Sequence, residues 1–131
     1  MKIKTLEDLK KSKVIWTGGW FLDTFTLTQL IKVRENKRSI HFEGKEEWYR
    51  LTIGENTVKI IDSGIAELTS TRKVEDILYG KIPYFTTREE TINHFIERTN
   101  EEIEEAKEKI IQLPRIVEFL NKLKKGDKNG N

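Results

Sequence analysis

Between Ile92 and Leu120 the small or apolar residues fall at Ile92, Ile96, Thr99, Ile103, Ala106, Ile110, Leu113, Val117 and Leu120, in strict steps of four and three. Nothing else in the chain narrows its folding options as much. A 3.5-residue period puts all nine on one seam of a helix, the pattern of a left-handed coiled coil, and β-branched Ile at one class of seam position is compatible with a dimer. Upstream, Thr86 and Thr87 each have a glutamate three residues on (Glu89 and Glu90), so either register gives a capping box that starts the helix.

Length decides what such a helix can pack against. Residues 86–113 would span about 42 Å at 1.5 Å per residue, whereas a compact body made of the preceding 85 residues is roughly 30 Å across. The overhang would leave Ile103, Ala106 and Ile110 in water unless a second copy covers them or the chain folds back. The expectation is a homodimer or higher oligomer with Ile92, Ile96, Ile103, Ala106, Ile110, Leu113, Val117 and Leu120 in the interface. Pro114 cannot donate to the carbonyl of Ile110, so the helix is expected to kink or break there, leaving open a helical hairpin or a kinked helix reaching a partner. Beyond it Ile116, Val117, Phe119, Leu120 and Leu123 cover more than one face. Residues 86–118 carry five basic and nine acidic side chains, and residues 119–131 four basic and one acidic, so antiparallel partners could attract end to middle. Gly126 reads as the helix stop, with 126–131 a disordered tail.

The first 85 residues are built differently, holding ten of the twelve aromatic side chains. Thr5 can cap a short helix over Leu6–Lys11. Strand-like segments follow at about 13–17, 20–27, 29–34, 39–43, 47–53, 57–62 and 65–69, several of them alternating: Tyr49, Leu51 and Ile53 interleave with Trp48, Arg50 and Thr52. Gly18-Gly19 reads as a bulge or bend. The separators Glu35–Arg38, Gly54–Asn56 and Asp62–Gly64 carry turn chemistry. Residues 71–79 read as a helix capped by Thr71 and stopped by Gly80. The expected fold is α+β: an antiparallel meander of six to seven short strands, a short helix, and a long C-terminal helix kinked or broken at Pro114. The domain organisation is 1–85 as the β domain with its short N-terminal helix, 86–125 as a helical association segment, and the tail.

Composition removes several function classes. There is no cysteine, hence no disulfide, no thiolate nucleophile and no Cys-ligated metal, and two histidines leave little for any other transition-metal site. No metal, cofactor or catalytic residue is expected. The apolar runs are far short of the about 20 residues of a membrane span, and the charged first twenty residues show no secretion signal, so the protein is expected to be cytoplasmic. A net charge of +2 gives no global field for nucleic acid.

The side chains that could make a binding site are aromatic and basic. Trp20 beside the glycine pair, or Trp48 opposite Tyr49 and Leu51, could wall a planar ligand, with Arg50, Arg72 or Lys73 receiving phosphate. Tyr84 sits in the loop entering the long helix, and His94 lies in that helix's second turn, where the dipole disfavours its charged form. The bland alternatives are a solvent-facing strand histidine for His41 and core filling for Trp16, Trp20, Phe21, Trp48 and Tyr49. No spacing supplies a nucleophile or an acid–base pair. The favoured reading is a non-enzymatic, homo-oligomeric binding protein that sequesters a small phosphorylated, nucleotide-like ligand or inhibits a protein partner. Short, cysteine-free Lys/Glu/Ile-rich chains of this kind are common among phage and mobile-element proteins that counter host factors. The alternative is nucleic-acid binding through Lys32, Arg34, Lys37 and Arg38; a hydrolase is disfavoured.

Overall fold

A computed structural model of the chain describes residues 1–129, with side chains through Lys125. The elements run α1 (Leu6–Lys11), β1 (Val14–Phe21), β2 (Thr24–Glu35), β3 (Ser39–Ile53), β4 (Val58–Lys73), α2 (Val74–Tyr79) and α3 (Arg88–Asn129). The four strands form one antiparallel sheet in sequence order. The architecture is therefore the expected α+β meander with a short helix and a long C-terminal helix, but it has four long strands in place of six or seven short ones.

Two glycines account for much of that difference. Gly44, in the gap between the expected strand segments 39–43 and 47–53, lies inside β3 opposite Leu30 and Leu68. A Cβ on it would sit 1.8 Å from the backbone oxygen of Gln29, so the glycine permits a close approach of β2 to β3. Gly64, read as part of a turn, lies inside β4 opposite Trp48, and a Cβ there would come within 2.8 Å of the indole ring. Each is a strand glycine dictated by its cross-strand neighbour. Conversely, the turn between β1 and β2 falls at Leu22-Asp23, within a segment that looks like continuous strand; Leu22 adopts φ 55°, a region that favours glycine or asparagine. Gly18 and Gly19 are paired in register with Leu27 and Thr26 and form no bulge. The register shifts fall instead between Lys32 and Arg34 and between Arg50 and Leu51.

One compact unit comprises Met1–Asn93. Its core lies on one face of the sheet, where Ile15, Leu30, Ile40 and Phe42 pack with Ile3, Leu9 of α1, Ile77 of α2 and Tyr84. The Thr5 hydroxyl accepts from the Asp8 amide and the Asp8 carboxylate accepts from the Thr5 amide, the reciprocal cap that starts α1. Lys32 reaches across to the Leu9 carbonyl and pairs with Glu35 at 2.6 Å. The outer edge of β1 is partly closed: the Trp16 and Phe85 backbones exchange hydrogen bonds of 2.7 and 2.8 Å, and the Thr17 hydroxyl donates to the Pro83 carbonyl. Residues 71–73, expected to open a helix, complete β4, so α2 begins at Val74 with no side-chain cap.

The second unit begins at His94 and consists of the remainder of α3. Of the two capping registers the chain uses Thr87–Glu90, the Thr87 hydroxyl accepting from the Glu90 amide at 3.2 Å. The helix is not broken at Pro114: it continues through that residue and through Gly126 to Asn129. Proline removes the donor to the Ile110 carbonyl and its ring crowds that turn, but this stretch is exposed on all sides, so water can satisfy the orphan oxygen. Of the expected tail, Gly130 and Asn131 lie outside the described residues. No described helix is long and apolar enough to cross a membrane.

Candidate functional site

Strand register assigns the sheet residues to faces. Opposite the core, Trp20, Phe25 and Tyr49 are cross-strand neighbours in one row over β1, β2 and β3, with the Trp20 and Phe25 rings 5.0 Å apart and tilted by 50°. The adjacent row is Gly18, Leu27, Glu47 and Ile65, of which Leu27 is buried. Glu47 takes the guanidinium of Arg88, in the first turn of α3, through Nε at 2.8 Å and Nη2 at 3.2 Å, and it also accepts from the Tyr49 hydroxyl at 3.0 Å. These bonds hold the Glu47 carboxyl below the usual carboxylate range, Arg88 contributing most, and raise the already high value of Arg88.

On the far side of the Trp20 row the same face continues along the β3–β4 hairpin. Tyr49, Leu51 and Ile53 alternate to this side of β3, Leu51 opposes Ile60, and Ile53 opposes Val58. This alternation is legible in the sequence as a strand with one face for a core. In the structure nothing among the described residues covers its outer half: Ile53, Val58 and Ile60 are exposed, as are Trp20, Phe21 and Leu22 at the tip of the β1–β2 hairpin. The two tips are tied together, because the Leu51 amide donates to the Asp23 carbonyl at 2.9 Å and Arg50 pairs with the Asp23 carboxylate at 3.2 Å. Arg50 accordingly lowers the Asp23 carboxyl. Phe21, one of the aromatics read as core filling, is exposed, and Leu22 carries no sequence signal, since a Leu-Asp turn offers none of the usual glycine or asparagine cues.

The residues proposed from sequence for a phosphorylated ligand are distributed through the fold. Arg72 and Tyr84 are brought together: the guanidinium donates to the phenol oxygen at 2.7 Å, lies 5.7 Å from the ring centroid, and bonds Ser70 at 3.0 Å. Tyr84 is itself part of the core. Trp48 and Arg50 follow a different parity from Tyr49; Trp48 is half-buried against Gly64, on the face opposite Trp20. Lys73 is exposed at the end of β4, and His94 lies in α3 with its ring edge-on to Phe95 at 5.2 Å. His41 shares a 2.8 Å hydrogen bond with Thr71. A shallow groove of about 560 Å³ on the aromatic side is lined by Gln29, Ile31, Glu43, Lys45, Glu67 and Thr69. Among the described residues no three His, Asp or Glu side chains are grouped to hold a metal.

Ile92 is half-buried, and from Ile96 onward the seam residues of α3 stay in solvent. Ile96, Ile103, Ile110, Leu113, Val117 and Leu120 are between 46% and 71% exposed. With Ile96 at heptad position a, the a sites are Ile96, Ile103, Ile110 and Val117, all β-branched, and the d sites are Ile92, Thr99, Ala106, Leu113 and Leu120.

Comparison of the chain with protein-family models, with curated proteins and with solved structures finds no match.

Proposed function

We propose that the protein is a non-enzymatic, self-associating binding protein of the cytoplasm, in which α3 joins copies of the chain and the apolar end of the sheet engages a protein partner. The observation that carries this reading is the exposed seam. An apolar stripe sustained for four heptads, in a helix otherwise covered with Glu and Lys, has no stabilising role in a lone chain and is satisfied by a second helix of the same kind.

Exposure and rim support a protein as the partner of the sheet end. Trp20, Ile53, Val58 and Ile60 lie on one face of the sheet, with Leu22 at the β1–β2 tip, and each is more than half exposed, an apolar surface of the kind that marks interaction sites. Its border carries both signs, with Arg50 paired to Asp23 and across from Asp62. A mixed rim around an aromatic centre is the composition of protein interfaces, whereas a nucleic acid or an anionic membrane calls for basic charge alone. Leu22 adds to the argument, since a fully solvated leucine at positive φ costs stability and gains nothing within this chain.

Sedimentation velocity on the full chain tests the association directly. The reading predicts a dimer or larger species that dissociates when Ile103 and Ile110 are replaced by Asn, with far-UV circular dichroism showing the sheet retained; a monomer for the unmodified chain at high concentration overturns it.

A further inference from the structure

We infer that two copies of the chain pair antiparallel along α3, each placing its Ile116–Leu123 stretch beside the first turns of its partner's helix. The inference rests on the association proposed above and adds its direction, for which width, layer composition and charge are three separate arguments.

The apolar front of α3 changes width along its length. From Ile96 to Lys109 it is confined to the a and d positions, flanked by Asn100, Glu102, Lys107 and Lys109. From Ile110 onward Ile111, Ile116, Phe119 and Leu123 widen it, each at least half exposed. A two-helix seam covers a and d alone, and the wider front is that of a helix with a further surface to meet. Parallel pairing gathers both wide ends at the end of α3 remote from Arg88. Antiparallel pairing lays each beside its partner's residues 88–93, the turns that the Arg88–Glu47 bridge seats on the sheet. Apolar surface is available on that face: Ile65, directly across from Glu47, is 70% exposed.

Layer composition points the same way. In-register parallel helices would stack Thr99 on Thr99 and Ala106 on Ala106, two thin layers, one of them polar. The antiparallel register that sets Ile96 against Leu113 also sets Ile103 against Ala106, Ile110 against Thr99 and Val117 against Ile92, so the two small d residues each meet an isoleucine. The flanking Glu102 then faces Lys109.

Charge bears on the direction at the helix ends. Residues 86–118 hold nine acids and five bases, and 119–131 four bases and one acid. In this register Lys122 comes within reach of Glu89, a contact that parallel pairing lacks, and the helix dipoles oppose each other, while the acids of 91–118 face that same stretch in either direction.

The chain contains no cysteine, so introduced thiols report geometry without background. The full chain carrying Ile96→Cys and Leu113→Cys is oxidised, digested and mapped by mass spectrometry. Within one helix the two positions are about 25 Å apart and cannot join. The proposal expects 96-to-113 links between chains; 96-to-96 and 113-to-113 links would show parallel pairing and overturn it. A monomer by sedimentation for the unmodified chain overturns association itself, while a dimer without 96-to-113 links overturns only the direction and register. Zero-length carbodiimide coupling of the unmodified dimer is the second measurement. It is expected to join Lys122 of one chain to Glu89 of the other, and that link is absent if the helices run parallel.

Discussion

Replacing Ile110 by Ala isolates the seam from the helix that carries it. Ile110 is 71% exposed in the single chain, and an isoleucine so placed offers about 120 Å² to a partner, of which alanine retains roughly a third. The loss is about 80 Å² per chain and about 160 Å² per dimer, or ~4 kcal/mol at 25 cal/mol per Å². At 1.4 kcal/mol per decade, the dissociation constant should rise about a thousandfold. Alanine is the stronger helix former, so α3 of the variant should keep its helical content as a monomer, which separates a lost interface from a lost helix. Sedimentation velocity over a wide concentration range gives the constant, and circular dichroism at the same concentrations gives the helix. An unchanged dissociation constant in a chain that does dimerise would refute the seam as the interface.

Other substitutions probe the sheet. Gly44→Ala forces a methyl to within 1.8 Å of the Gln29 carbonyl oxygen and should cost at least ~3 kcal/mol, read as a lower denaturation midpoint, because β2 and β3 must separate. Leu22→Gly relieves the positive φ and should stabilise the chain by ~0.5–1 kcal/mol in thermal or urea unfolding while removing a side chain from the proposed docking end. The Glu47 carboxyl titrates below its ordinary range because Arg88 and Tyr49 bond its charged form. Its contribution to stability is therefore fully present above the ordinary glutamate value and is lost as pH falls through the lowered one. Glu47→Gln should flatten the acid limb of a stability-against-pH curve relative to the unmodified chain, with little change in the seam's behaviour.

What could be read from sequence follows the range of the interactions involved. Helix starts are local, and the Thr5 and Thr87 hydroxyls cap where the sequence put them, each accepting from the amide three residues on. The meander was equally legible, since alternation and the turns at 36–38 and 54–56 need no distant partner. The strand count was not, because Gly44 and Gly64 look like chain breaks until the Gln29 backbone and the Trp48 ring are set against them. Leu22 failed in the opposite sense, a turn residue that looks like strand. Pro114 marked a kink or a break, yet the helix runs on through it, with water able to reach the carbonyl that loses its donor. Among the ligand candidates, residue type identified Arg72 and Tyr84, but only the fold shows that they bond each other, and only the register shows that Trp20 and Trp48 lie on opposite faces.

Self-association through α3 is the centre of the account, and the solution mass of the unmodified chain tests it most directly. Native mass spectrometry, paired with sedimentation equilibrium, should give twice the 15.5 kDa of the single chain or a higher even multiple. A single 15.5 kDa species persisting at high protein concentration, with α3 fully helical by circular dichroism, would contradict it.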